Sequence, residues 1–268
     1  MIRTFLTGLL FILTGAVHAQ VTAILGAFGP ETELVLSQVQ HKEEVVIQQL
    51  HFTRGVLKGR QVVVALSGVG KVNAAVATTL LLEHFHPAEV IFTGIAGAVD
   101  PELSPGDLVI GVEVGYHDYG ALRPDSLEHW RTRDPATNEQ NPMYFPCDGG
   151  LVQLAYRVSQ TTKLERTGGK DSAVPRVIRG RIVTGDQFLS SRTATAALYR
   201  DLAASATEME GAAVAQVCWQ QRTPFVVIRS MSDKGGNNAH LDMETFYHIA
   251  ARNSAKLVMN MVEKLAAK

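Results

Sequence analysis

Thr207-Glu208-Met209-Glu210-Gly211-Ala212-Ala213, followed by Phe225-Val226-Val227-Ile228-Arg229-Ser230-Met231-Ser232-Asp233, is the stretch that decides the fold. The first run turns a strand into a helix and leaves carboxylates at the junction. The second starts as a continuous apolar strand and ends in another acid. A strand that opens without polar alternation is buried on both faces, as in a sheet covered by helices on both sides. Ligands of open α/β sheets sit at the carboxyl ends of the strands. Acids delivered there point to chemistry on a small polar molecule. Taken singly, each has a plainer role, as a Glu favoured by a helix N-terminus or an Asp capping a turn.

The same alternation runs outward along the chain. Residues 21–25 read as a short strand ending in Gly26-Ala27, with a helix from Pro30, a residue tolerated in a first helical turn. Strands are expected over 45–52, 61–66, 89–93, 107–113, 177–184 and 224–231. Helices are expected over 71–85 and 241–267, the latter with Phe246, Ile249, Leu257, Val258, Met261 and Leu265 at roughly helical spacing. The pattern predicts a single α/β domain with its sheet covered on both faces. Residues 116–148, rich in Pro, Asn, Arg and Asp, are the least regular, and a long loop in a compact domain is commonly functional.

The 268 residues, 46% hydrophobic and 19% charged, suffice for one large domain. A formal net charge of -1 and the lack of a basic run leave no field to hold nucleic acid. Met1-Ile2-Arg3, an apolar or small run over 5–17, and Val17-His18-Ala19 ahead of Gln20 predict a secretory signal peptide over residues 1–19, cleaved after Ala19. About 13 such residues are too few to span a bilayer, so the mature chain is expected exported, in a periplasm, with no membrane partner. Cys147 and Cys218 leave a disulfide open in an oxidising space, but Cys218, on the apolar face of a helix, fits a small buried hydrophobe better. Two cysteines and dispersed histidines give no zinc spacing.

Several motifs fail in informative ways. Gly68-Val69-Gly70-Lys71 resembles a phosphate loop, but Ala65 and Val72 stand where Gly and Ser or Thr belong. Asn73 replaces the third Gly of a dinucleotide fingerprint. A tight turn before a helix remains, its N–H groups free to face a ligand. No Gly-x-Ser-x-Gly elbow exists. His117-Asp118 is a local pair able to orient a base, or an ordinary surface pair.

Four segments place functional groups where strands end or helices begin: Gly26-Ala27-Phe28-Gly29-Pro30-Glu31, Thr184-Gly185-Asp186-Gln187-Phe188-Leu189, Glu208-Met209-Glu210-Gly211 and Ser232-Asp233. With Ser67-Gly68-Val69-Gly70-Lys71-Val72-Asn73-Ala74, Thr93-Gly94-Ile95-Ala96-Gly97 and Pro105-Gly106-Asp107, the chain beyond residue 20 resembles the 5′-methylthioadenosine/S-adenosylhomocysteine nucleosidases of the purine-nucleoside phosphorylase/uridine phosphorylase superfamily. The resemblance implies one nucleosidase domain over 20–268, a three-layer α/β/α fold with a central mixed, partly barrel-like twisted sheet. It implies hydrolysis of a purine nucleoside to adenine and a 5′-substituted ribose, a homodimer, and neither metal nor organic cofactor.

The implied roles answer a physical need. Cleaving the glycosidic bond builds positive charge on the sugar and negative charge on the base. Asp233 matches the acid that protonates purine N7, a step favoured in a desolvated site. Glu210 matches the residue that binds the 2′- and 3′-hydroxyls and stabilises the cation. Glu31 matches the carboxylate that activates water. Met209 packs on the ribose, Phe188 stacks on the purine, and Leu189 offers its backbone to the base edge. Phe28, Ile95, Glu208 and Ser232 complete the expected substrate-binding set, and Arg229 is expected to order the acid loop.

A phosphorolytic enzyme on the same fold needs cations for phosphate, whereas the first-strand loop supplies Glu31 and no Arg before Arg54. A secreted nucleoside-binding protein without catalysis has no need of all three acids. Two departures stand out. Ile95 occupies a position where the family has Ser as a partner for the catalytic Asp, leaving the orientation of Asp233 open. Tyr119-Gly120-Ala121-Leu122-Arg123-Pro124 and an insertion replace the family's Thr-Ala-Phe-Gly-Tyr run, leaving the 5′ specificity open.

Overall fold

The computed structural model describes residues 20–124, 126–168 and 172–267; the expected signal peptide, 1–19, lies outside them. In chain order the elements are β1 Val21–Gly26, α1 Gly29–Gln38, β2 Gln40–Ile47, β3 Leu50–Leu57, β4 Arg60–Leu66, α2 Lys71–Phe85, β5 Glu89–Ala98 and β6 Leu108–Tyr116. There follow β7 Gly120–Leu122, β8 Leu127–His129, β9 Phe145–Pro146, α3 Gly149–Ser159, β10 Val177–Thr184, α4 Arg192–Leu202, β11 Ala204–Glu208, α5 Gly211–Gln220, β12 Phe225–Asp233 and α6 Ala239–Ala266.

One mixed sheet organises the molecule. β1 lies between parallel β4 and β5, and β12 runs parallel to β5 on its other side. β6 is antiparallel to β12, β10 parallel to β6, and β11 parallel to β10. β11 then pairs antiparallel with β5, so β5, β12, β6, β10 and β11 close into a ring while β1, β4, β3 and β2 extend from it as an open sheet. This is the expected partly barrel-like sheet. Helices cover it in two groups: α1 and α3 pack with α6, and α2 with α5.

Every residue of β12 is buried, as the apolar run implied, and Val226, Val227 and Ile228 share a core with Ile24, Leu25, Ile91 and Phe92. One sequence expectation is corrected. Residues 45–52 are not one strand but the arms of the β2–β3 hairpin, turning at Gln48 and Gln49, both at positive φ. Cys147 and Cys218 form no disulfide; both thiols are free and buried. Burial pushes the Cys147 thiol up to about 12 and raises that of Cys218 as well, which leaves both inert. Among its described residues the 116–148 stretch carries the end of β6, the small β7–β8 sheet, an isolated bridge between Arg133 and Gln140, and β9 paired with β6.

Candidate active site

Glu31 enters from the end of β1. Phe28 is extended at the N-terminus of α1, and Pro30 fixes the first turn. The Glu31 carboxylate folds back into the protein: Ala27 N donates to Oε2 (2.5 Å) and Ile95 N to Oε1 (2.8 Å). At 2% exposure its pKa is raised by burial, an effect opposed by the Arg229 charge and these N–H groups. Gly94 makes the approach possible, because a Cβ there would overlap Glu31 Oε1 and lie 2.5 Å from Arg229 Nη1.

Glu208 and Glu210 flank the step from β11 into α5. The Glu208 carboxylate is fully engaged by protein: it accepts from Thr184 Oγ1, from the N–H groups of Glu210 and Gly211, and from Arg229 Nη2 at 2.7 Å. Glu210 Oε1 accepts from Gly70 N at 2.9 Å, and its other oxygen lies 3.9 Å from Arg229 Nη2. The turn that fails as a phosphate loop therefore aims an N–H at a carboxylate, with Gly68 and Gly70 at φ +75 and +93. Burial, then the neighbouring Glu208 charge, raises the Glu210 pKa.

Arg229 is wholly buried, packed 4.0 Å from the Phe92 ring centroid. Its charged surroundings are the carboxylates of Glu208, Glu31 and Glu210. One cation facing three carboxylates cannot neutralise them all, which is consistent with the raised pKa of two. Arg229 thus serves Glu208, Glu31 and Glu210, whereas Ser232 and Gly235 hold Asp233, so Arg229 does not order the acid loop as expected.

Asp233 closes β12 beyond an irregularity at Ser232. Ser232 Oγ donates to Oδ2 (2.9 Å) and Gly235 N to Oδ1 (2.7 Å). The orientation left open by Ile95 is thus supplied by Ser232, while Ile95 contributes its backbone N–H to Glu31. Burial raises the Asp233 pKa, with Asp242 adding to it. Thr207 and Asp233 lie either side of Gly97 across the sheet, and a Cβ on Gly97 would stand 3.0 Å from Asp233 Oδ1.

These groups share one cavity of ≈ 460 Å³. Of the ten expected site residues, Glu31, Glu210, Asp233, Phe28, Ile95, Phe188, Glu208, Met209 and Ser232 line it. Leu189 is off the wall, its side chain packed on the small core of Val99, Val183, Leu198, Leu202 and Ala204, so it can serve only through its backbone. His117-Asp118 is also off the wall. Asp118 accepts from Lys71 Nζ (2.7 Å) and Asp186 N (2.8 Å), tying the start of α2 to the loop that bears Phe188.

The sequence reading missed Val69, Thr207, Met243, Glu244 and Tyr247 on the wall. The last three occupy the first turns of α6, whose helical spacing carried no sign of which turns overhang a cavity. Among the described residues lining it there are five carboxylates and no Lys or Arg. The arrangement offers an acid with a raised pKa, a carboxylate held over a buried guanidinium, and a half-exposed aromatic face.

The description of the family model that matches residues 21–263 is phosphorylase superfamily. Over 243 residues the chain is 39% identical to a 5′-methylthioadenosine/S-adenosylhomocysteine nucleosidase of Psychromonas ingrahamii, covering 90% of this chain and 98% of that one. The corresponding nucleosidase of Neisseria meningitidis, solved with methylthio-immucillin-A, superposes with TM-score 0.77 at 35% identity, covering 91% of this chain and 99% of that one. That of Colwellia psychrerythraea, solved with adenine, gives TM-score 0.79 at 34% identity, with 92% and 96% covered.

Proposed function

The chain belongs to the phosphorylase superfamily, and from that premise we propose that it hydrolyses the N-glycosidic bond of 5′-methylthioadenosine or S-adenosylhomocysteine, releasing adenine and a 5′-substituted ribose. The observation that carries this is the convergence of Glu31, Glu210 and Asp233 on one cavity whose described lining includes no cation. Phosphate would meet carboxylates there; water meets a base.

In this reading Asp233 protonates purine N7 as the C1′–N9 bond breaks and its electron pair passes into the base. Glu31 takes a proton from the water that attacks C1′. Glu210 receives the ribose hydroxyls and stabilises the sugar's positive charge. Phe188, 46% exposed, offers its ring face to the purine, and Phe28, Val69, Met243 and Tyr247 offer an apolar wall to a thioether. The two acids need opposite protonation states. Burial raises both; at Glu31 the Arg229 charge and backbone N–H groups oppose it, and at Asp233 Gly235 N and Ser232 oppose it while Asp242 adds to it.

Adenine release from methylthioadenosine, measured in phosphate-free buffer, tests the assignment. Release independent of added phosphate supports it. Release only with phosphate makes the chain a phosphorylase. Binding without release makes it a nucleoside-binding protein.

Two further proposals accompany it. Val72 and Val76 leave an exposed apolar face at the start of α2, near Tyr119 across a shared groove, which supports a homodimer; Val72→Glu should shift the sedimentation mass to that of one chain. The composition of residues 1–19 supports export; the N-terminus of periplasmic protein should read Gln20, and an intact Met1 would refute it.

A further inference from the structure

The two groups that hold Asp233 differ in what stands behind them. Ser232 belongs to β12 and is buried in the sheet. Gly235 lies beyond the strand, in the turn over 234–238 that leads into α6. Ser232 and Asp233 line the cavity of the acids, whereas Lys234, Gly236, Asn237 and Asn238 line a second cavity of ≈ 400 Å³. Lys234, Asn237 and Asn238 are exposed, and Gly235 is the one residue of 234–238 that is buried. The turn is therefore backed by protein chiefly at Gly235.

That backing comes from α4. Thr195, itself buried, donates its hydroxyl to Gly235 O at 2.5 Å, and Gly235 N donates to Asp233 Oδ1 at 2.7 Å. The plainer role of a helical Thr is a bond to the carbonyl four residues earlier. Here that carbonyl, Ser191 O, lies at 3.0 Å, and a single hydroxyl proton favours the nearer acceptor. The fit is close from the other side as well: Gly235 holds φ +58, and a Cβ on it would stand 2.8 Å from Thr195 Oγ1. The carbonyl and the N–H belong to one residue, so fixing the first limits where the second can point.

Resting on the reading of Asp233 as the acid of a nucleosidase, we propose that Thr195 is a positioning residue that acts through Gly235 to aim the Asp233 carboxyl at the purine. Thr195→Val keeps the shape and deletes the donor, Thr195→Ala deletes it without setting a methyl group against the carbonyl, and Thr195→Ser retains it. The readout is the single-turnover rate of adenine release from methylthioadenosine, with enzyme in excess, followed against pH. A general acid contributes about 10²- to 10⁴-fold, and a misaimed one should forfeit about tenfold of that in Thr195→Val and Thr195→Ala. The Gly235 N–H stabilises the Asp233 anion, so loosening it keeps the acid protonated to higher pH and moves the alkaline limb of the profile upward. Asp242 of α6 and Ser232 of β12, which also act on this carboxyl, are untouched by these variants. A merely weakened fold would lower the melting temperature and leave that limb in place. Thr195→Ser should keep both the rate and the limb of the wild type. Wild-type rates in Thr195→Val and Thr195→Ala, a loss that Thr195→Ser shares, or a loss with the limb unmoved overturns the proposal. Failure of the wild type to release adenine overturns the nucleosidase reading itself and is thereby distinguishable.

Discussion

At the scale of single residues, the site depends as much on absent atoms as on present ones. Gly94 leaves the space beside which Glu31 Oε1 and Arg229 Nη1 both lie, and both side chains are almost fully buried, so neither can swing aside into solvent. Gly94→Ala should therefore displace the water-activating carboxylate and lower kcat/KM by about a hundredfold, the usual cost of misplacing a reacting group by about an ångström. Gly29→Ala is the control, since its added Cβ meets nothing within 4 Å; if both variants retain activity, Glu31 is not held as described. Asp233→Asn keeps the shape and the acceptor toward Gly235 N, with its amide NH2 able to donate to Ser232 Oγ in place of accepting from it, but removes the transferable proton. It should abolish turnover while leaving the melting temperature within a few degrees, and substantial residual adenine release would refute the acid role. The carboxylates were legible because each follows a strand end in a recognisable run. Ser232 as the hydroxyl partner of Asp233 was not, because the expected partner position, Ile95, lies on a different strand that only the fold brings alongside.

At the scale of elements, burial decided what could be read. β5 and β12 announce themselves through the apolar runs Val90-Ile91-Phe92 and Phe225-Val226-Val227-Ile228 because both faces are covered. The β2–β3 hairpin did not, for a local reason. Two-residue hairpin turns are signalled by Asn-Gly or Asp-Gly, residues that tolerate φ > 0, and here Gln48 and Gln49 adopt φ of 47 and 67 with no such signal. Side chains with a Cβ are disfavoured in that region. Gln48→Asn combined with Gln49→Gly should relieve the turn and raise stability by about 1 kcal/mol, read as a higher urea midpoint with unchanged slope. Adenine release should be unaffected, since the hairpin lies at the far edge of the open sheet from β5. A lowered midpoint would mean that the two glutamines make compensating contacts. The first turns of α6 were misread in a related way. Helical periodicity assigns a face but not what the face looks onto, so Met243, Glu244 and Tyr247 passed as part of one long packed helix.

At the scale of the whole molecule, the ring closed by β11 on β5 gathers acids from distant parts of the chain, and gathering them has a thermodynamic consequence. Glu31, Glu210 and Asp233 all have pKa values raised, by burial first of all. For each, the folded state holds its proton more tightly than the unfolded chain does. Stability is therefore lost as pH rises from the ordinary carboxylate range through the raised values. Glu165 behaves oppositely. Hydrogen bonds from Arg252, then Lys256, hold its carboxyl at about 2, so its contribution is present above the ordinary range and is lost as pH falls toward that value. The two slopes oppose each other, and the unliganded protein should melt highest in mildly acidic buffer, roughly pH 5. Glu210→Gln should flatten the alkaline limb of the melting profile and leave the acid limb alone, while Glu165→Gln should do the reverse. A melting temperature that climbs steadily to pH 8 in the wild type would show that the clustered acids ionise without cost to the fold. The electrostatic account of the cavity, with one buried guanidinium beneath more carboxylates than it can neutralise, would then fail with it.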